Sequence, residues 1–215
     1  MALNKTIPLF PLQLVLFPNI SLPLHIFEDR YKKMINICLE NEREFGIVLT
    51  DGKQLQKFGC TAEITKILNK YDDGRMDIMT VGRSRFKINS ISEEKAYLQG
   101  DVTFFEDENE LESPEMLNLA KTGIGLLKEL ESITRRREYY DSLTELNIQV
   151  ISFIIADAYG ITLPAKQAML EMTSVQQRLD SGVSLLKRVI EQIKLSEKLA
   201  KIIKKPDRIH GFYTN

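Results

Sequence analysis

The stretch TIPLFPLQLVLFPNISLPLHIFEDRY, residues 6–31, decides the fold of this 215-residue chain. Short apolar runs alternate with prolines, which hold the backbone extended and remove N–H donors from a sheet ladder. The same pattern continues to about Phe105 and predicts a series of short strands. These cover residues 6–10, 14–17, 22–26, 45–49, 60–68, 75–81, 86–91 and 97–105. So many short strands predict a compact β-barrel.

One helix and one hairpin stand out within this first half. Between residues 28 and 41, Tyr31, Met34, Ile35 and Cys38 recur at helical spacing, so a helix interrupts the strands. A tight hairpin should join 64–68 to 76–81, because Gly74 supplies the positive φ that such a reversal needs.

An acidic segment separates the two halves of the chain. Six Asp or Glu residues fall within 106–115, which indicates a solvated linker. The sequence therefore predicts a barrel domain over 1–108, a helical bundle over 113–205 and a tail over 206–215. Ser113 is a suitable N-cap for the first bundle helix, and Pro114 suits its first helical position.

Three more helices are expected in the second half. Ser142 and Glu145 form a capping box for a helix over 143–159, which Gly160 would close, and a short helix follows over 164–171. Thr173 and Gln176 cap a last helix that runs to about residue 205. Its apolar positions step by four and three residues, and this seam predicts a homodimer through the last helix. They are Leu179, Val183, Leu186, Ile190 and Ile193.

Charge and composition limit the classes of partner. Lys and Arg number 29 and Asp and Glu number 30, and this balance weighs against nucleic acid as a partner. The densest apolar stretch, 148–158, is too short to span a membrane. Cys38 and Cys60 are isolated thiols, which fits a reducing, cytoplasmic location. The sequence predicts no metal site, because it holds only His25 and His210 and no clustered cysteines.

Motifs for catalysis are missing from the sequence. No P-loop, G-x-S-x-G, H-E-x-x-H or G-x-G-x-x-G pattern occurs, so we expect neither an enzyme nor a bound cofactor. We interpret His25 as a hydrogen-bonded structural residue near the barrel, not as a general base. An enzyme whose site is assembled from scattered polar residues is the remaining alternative, and an enclosed polar pocket would favour it.

Several segments resemble the N-terminal, substrate-recognition domain of Lon proteases. The opening segments are IPLFPL (7–12), VLFP (15–18) and LPLHIFEDRY (22–31). Later segments are FGIV (45–48), GCTAEI (59–64), VGRSRF (81–86) and LPAKQAMLE (163–171). The resemblance covers most of residues 5–195.

This resemblance implies an α+β fold in which a PUA-like β pseudo-barrel precedes a helical bundle that ends in a long helix. It also implies the capture of unfolded or extended polypeptides. The chain ends at Asn215 without the ATPase and serine-lysine protease modules of Lon, so we expect a stand-alone, noncatalytic binding protein. An adaptor or chaperone-like role in protein quality control, with a Lon-type protease as a partner, would follow. His25, Phe27, Arg30 and Tyr31 are the candidate polypeptide contacts.

RNA binding is the alternative function. PUA-like barrels of other families bind RNA, and Arg83, Arg85 and Lys87 alternate along one predicted strand, where they could contact phosphates from one face. The near-neutral charge of the chain disfavours this hypothesis.

Overall fold

A computed structural model describes residues 5–135, 143 and 145–203, with side chains up to residue 200. Ser142, His210 and the predicted tail 206–215 lie outside the described residues. The barrel half contains β1 (Lys5–Leu12), β2 (Ser21–Ile26), α1 (Asp29–Glu40), β3 (Phe45–Thr50), β4 (Leu55–Lys70), β5 (Met76–Ser92) and β6 (Gln99–Phe105). The helical half contains α2 (Pro114–Thr134), α3 (Ile148–Ala156), α4 (Leu163–Glu171) and α5 (Val175–Ile203).

The six strands form one sheet that closes on itself. Their order is β2-β5-β4-β3-β1-β6, and β6 also pairs with β5, so that β1, β3, β4, β5 and β6 complete a ring. The β1–β3 pairing is parallel and the other pairings are antiparallel. This architecture, with its long last helix, confirms the predicted α+β fold of a barrel followed by helices.

Two strand predictions differ from the structure. The runs 75–81 and 86–91 belong to one continuous strand, β5, which pairs with β2, β4 and β6. Residues 14–17 form no strand, although Val15, Leu16 and Phe17 are buried. These three side chains contribute to the core from an irregular segment. Their apolar character therefore reflects burial in the core and not pairing with another strand.

The interior of the barrel is filled around the Phe86 ring. A Cβ added at Gly46 of β3 or at Gly59 of β4 would lie 2.6 Å from the ring carbon Cζ. At Gly59 the added atom would also lie 2.5 Å from the main-chain oxygen of Ile47. Glycine is required at both positions because the ring lies directly on the two strands.

The helix and the hairpin predicted for the first half are confirmed. α1 buries Tyr31, Met34, Ile35 and Cys38 along one face, as their spacing predicts. Gly74, at the turn between β4 and β5, has a φ of +81°.

The starts of the later helices follow their capping side chains. Ser113 Oγ accepts a hydrogen bond from the Met116 amide (3.1 Å), which confirms the predicted start of α2. α3 begins only at Ile148, because the Asn147 side chain accepts from the Gln149 amide (2.7 Å); the helix predicted over 143–159 is therefore shorter.

The last helix begins with a different cap from the one predicted. The cap of α5 is Ser174, whose Oγ accepts from the Gln177 amide (3.1 Å). The hydroxyl of Thr173 instead donates to Glu108 Oε1 (2.6 Å), in the segment before α2. The prediction of a Thr173 cap was therefore wrong by one residue.

One hydrophobic core extends through both halves of the chain. Its buried members include Phe17 of the barrel half and Phe153 of α3, whose ring centroids lie 6.0 Å apart. The boundary between 108 and 113 stays a prediction. Asp107 contradicts the view that the whole acidic segment is solvated, because its side chain is only 3% exposed.

The apolar seam of α5 packs within the chain's own bundle. Leu179, Val183, Leu186 and Ile190 are buried, and α5 packs mainly against α2 and α3. Further along, Leu195 and Leu199 are exposed. The seam is thus largely occupied, and the homodimer stays a prediction that this packing does not support.

Candidate functional site

The segment from the end of β2 to the start of α1 carries all four side chains predicted to contact polypeptide, and three of them are exposed. His25 lies opposite Asp77 in the β2–β5 register, and its Nδ1 is 2.6 Å from Asp77 Oδ1. Tyr71 Oη donates to the other carboxylate oxygen (2.8 Å). Both hydrogen bonds lower the pKa of Asp77, and the one from His25 has the larger effect. His25 is therefore hydrogen-bonded, as the sequence predicts.

Phe27 forms the apolar centre of this surface. Its side chain is 59% exposed, and its ring stacks on the His25 ring with 6.0 Å between centroids. Arg30 is also exposed and forms an ion pair with Glu28 (2.8 Å). We name His25, Phe27 and Arg30 the β2–α1 patch.

Tyr31 lies below this patch, in the core. Its ring centroid is 4.1 Å from that of Phe10, and the residue is 6% exposed. The Arg30 guanidinium lies 4.5 Å from the Tyr31 ring centroid, so Tyr31 supports Arg30 and does not itself face solvent. The helical spacing of Tyr31 with Met34 and Cys38 already carried this signal, since all three lie on the buried face of α1.

The three cations predicted to contact RNA do not share a face. Arg83 is exposed and paired with Glu63 (2.6 Å), and Lys87 is exposed with its Nζ 5.8 Å from the Phe58 ring centroid. Arg85 is only 3% exposed. A β-bulge separates Arg83 from the other two, because β5 advances three residues where β4 advances from Cys60 to Ala62. Arg85 is buried because Asp107 and the carbonyls of Leu170 and Met172 cover it. The prediction of an exposed row of three cations was wrong.

Arg85 belongs to a buried ion cluster that joins the barrel to the helices. Asp107 accepts hydrogen bonds from Arg85 Nη2 (2.5 Å), from both terminal nitrogens of Arg178 (2.8 and 2.6 Å) and from Gln149 Nε2 (2.6 Å). Burial acts to raise the pKa of Asp107, but the hydrogen bonds and charges of Arg178 and Arg85 outweigh it and lower that pKa. We name Arg85, Asp107, Gln149 and Arg178 the ion clamp.

Main-chain and hydroxyl oxygens accept hydrogen bonds from further donors of the two arginines. Arg85 Nη1 donates to the carbonyls of Leu170 (2.9 Å) and Met172 (2.5 Å), and Arg178 Nε donates to Ser152 Oγ (2.8 Å). The clamp thus ties β5 to α3 and to the α4–α5 connection. It fixes the spacing between barrel and helices, and the sequence reasoning missed it because Asp107 lies within an acidic run.

Two open cavities lie where the barrel meets the helices. The larger, of about 690 Å³, lies over the ion clamp, and we name it the clamp cleft. Its walls include Pro18, Arg83, Phe104, Glu106, Glu110 and Ile148. The second, of about 610 Å³, lies between α4 and the β3–β4 connection, and we name it the α4 groove. Its lining residues are Gln13, Leu49, Thr50, Asp51, Gln56, Leu163, Pro164, Gln167, Ala168 and Glu171.

The part of the chain that the structure describes offers neither a membrane-crossing helix nor a cluster of metal ligands. None of its helices combines the length and the apolar character that a membrane crossing requires. Within the same residues, no three His, Cys, Asp or Glu side chains come together in a way that could hold a metal ion.

Sequence comparison identifies relatives over most of the chain. A family model described as the ATP-dependent protease La (LON) substrate-binding domain matches residues 6–188. Lon protease 2 of Myxococcus xanthus is 26% identical over 216 residues, which cover 93% of this chain and 26% of that protein. The chain spans about a quarter of the length of the Lon proteases it matches.

Solved structures share the fold. The Lon N-terminal domain protein from Xanthomonas campestris has a TM-score of 0.66 at 22% identity, covering 84% of this chain and 98% of that one. The N-terminal domain of the Mycobacterium avium complex Lon protease has a TM-score of 0.68 at 18% identity, covering 85% of this chain and 98% of that one. At these identities the likeness is one of fold.

Proposed function

Because this chain belongs to the family of Lon substrate-binding domains, we propose that it is a noncatalytic module that binds extended polypeptide segments. The β2–α1 patch is the proposed contact surface. The observation that carries this choice is Phe27, a large aromatic side chain that is 59% exposed beside the end of a strand. Exposed aromatic side chains of this kind are typical anchors in protein recognition.

The strand next to Phe27 supports this mode of binding. Within the described ranges β2 pairs only with β5, and its other edge has no strand partner. An extended polypeptide can add to such an edge through main-chain hydrogen bonds, which require little sequence specificity. Pro23 removes one donor from the edge, so side-chain contacts with Phe27 and His25 would supply much of the affinity.

A peptide titration tests the proposal. Anisotropy of a fluorescein-labelled, leucine-rich unfolded peptide should rise on addition of the chain. Burying a phenylalanine contributes ~1.5–3 kcal/mol, so Phe27→Ala, at a site already partly buried, should weaken binding roughly fivefold to twentyfold. Leu111→Ala is the matched control, because Leu111 is an exposed apolar residue in the segment before α2. Equal affinities of the two variants, or no binding by the parent chain, would refute the proposal.

The cellular part of the proposal is an adaptor or chaperone-like role in cytoplasmic protein quality control, with a Lon-type protease as partner. Its support is the match to Lon proteases. Purified Lon-type protease should degrade a labelled unfolded client at a different rate when this chain is present. Phe27→Ala should remove the difference, and an unchanged rate with the parent chain would contradict the role.

A further inference from the structure

The α4 groove combines an apolar surface with an uncompensated negative charge. Leu49, Leu163, Pro164 and Ala168 supply the apolar part, and Leu163 is more than one-third exposed. Asp51 and Glu171 are the charged lining residues, and no Lys or Arg is among the lining residues. The volume, about 610 Å³, lies within the range of ~300–1,000 Å³ that is usual for ligand sites.

Gln167 provides a second, independent sign of a missing partner. The residue is 5% exposed, and its Nε2 donates to the Phe58 carbonyl (3.2 Å) and to Glu171 Oε1 (2.9 Å). Its Oε1 is the one buried side-chain acceptor in the described part of the chain without a hydrogen-bond partner. Buried acceptors are nearly always satisfied, so this oxygen calls for a donor.

The two carboxylates are held in place on opposite walls. Asp51 Oδ1 accepts from the amides of Lys53 (2.8 Å) and Gln54 (2.7 Å), which fixes it in the turn after β3. These main-chain hydrogen bonds lower the pKa of Asp51, so it stays charged at neutral pH. Glu171 lies one helical turn after Gln167 on α4, and its Oε1 accepts a hydrogen bond from Gln167 Nε2, which holds the carboxylate beside the Gln167 amide group.

We propose that the α4 groove binds a lysine side chain of an extended polypeptide, with neighbouring apolar residues packed on Leu49 and Leu163. A lysine ammonium has three donors and no acceptor, so it can serve Glu171, Gln167 Oε1 and a further oxygen together. Its aliphatic stem suits the apolar wall. This inference rests on the proposed function and adds a charge preference at a site separate from the β2–α1 patch.

Two matched peptides test this preference. Both are fluorescein-labelled, leucine-rich and unfolded, and they differ only in a central lysine or norleucine, which has a similar stem without the ammonium. The parent chain should bind the lysine peptide about tenfold more tightly, the size expected for one charge-assisted pair at a partly exposed site. This preference should decrease as salt rises from low to physiological concentration.

Glu171→Gln and Asp51→Asn should each reduce the ratio of the two affinities, lysine peptide over norleucine peptide, towards one. The affinity for the norleucine peptide should stay the same, which shows that each variant folds. Glu93→Gln, an exposed acid in the β5–β6 connection, is the control and should keep the preference. Equal binding of both peptides by the parent chain, or an unchanged preference in both groove variants, would overturn the lysine site and leave the proposed function standing. Failure of both peptides to bind would overturn the two together.

Discussion

Replacing Asp107 by Asn removes the negative charge of the ion clamp and leaves the size of the side chain nearly unchanged. The side chains of Asp107, Arg85 and Arg178 are at most 3% exposed, so hydration compensates little for the lost carboxylate. The Asn amide also places N–H donors against a guanidinium that itself has only donors. Two buried positive charges are then left without a carboxylate.

The size of the effect follows from the number and burial of the broken contacts. Four hydrogen bonds end on the Asp107 carboxylate. Removing one partner of a buried ion pair costs about 3–5 kcal/mol, mostly because the other charge stays buried and unpaired. For a chain of this length that loss corresponds to a decrease in Tm of roughly 6–20 °C.

Urea denaturation followed by circular dichroism measures this loss. Asp107→Asn should lower the free energy of unfolding by about 3–5 kcal/mol, and Glu106→Gln, at the exposed neighbouring position, should change it by less than ~0.5 kcal/mol. In the double variant with Arg178→Met, the loss should be smaller than the sum of the two single losses. A decrease below ~1 kcal/mol for Asp107→Asn, or additive losses, would refute the clamp as a source of stability.

Three further predictions concern titration, packing and thiol reactivity. Because the pKa of Asp107 is lowered in the folded chain, the contribution of its charge to stability is complete above its unfolded pKa of about 4 and is lost at lower pH. The difference in free energy of unfolding between the parent chain and Asp107→Asn should therefore shrink below about pH 4. A difference that stays constant would contradict this. Gly59→Ala should destabilise the barrel by ~1–3 kcal/mol in urea denaturation, because the new Cβ would lie 2.5 Å from a main-chain oxygen. Gly125→Ala is the control on α2; open space surrounds this position, so the substitution should be neutral or stabilising. Both cysteines are buried, and burial raises the pKa of Cys38 to about 11, so neither thiol should react with a thiol reagent at pH 8 until denaturant is added; rapid reaction of the native chain would disprove this burial.

Local signals in the sequence predicted much of the fold. Helical spacing located α1, Ser113 located the start of α2, and Gly74 located the hairpin turn, since each depends on neighbours a few residues away. The same reasoning failed at residues 14–17. Their apolar side chains pack in the core without strand partners. A run of four apolar residues cannot distinguish a buried strand from a buried irregular segment.

The candidate site was harder to predict because its geometry depends on distant pairs. Asp107 pairs with Arg178, 71 residues later, and no local pattern separates it from the acids around it. Arg85 is buried by Asp107 and the α4–α5 connection, and the β-bulge that separates it from Arg83 depends on the register between β4 and β5. Among the residues predicted to contact polypeptide, Phe27 is exposed although its apolar character also fitted a core position, whereas Tyr31 belongs to the buried face of α1.

Mapping a bound peptide by NMR tests the central claim most directly. Backbone amide resonances of the ¹⁵N-labelled chain are followed while an unlabelled, leucine-rich unfolded peptide is added. Polypeptide binding at the β2–α1 patch predicts shifts that saturate with peptide and concentrate in β2 and in the first turn of α1, around Phe27. Shifts that leave residues 21–31 unchanged, or no shift at any peptide concentration, would contradict the account.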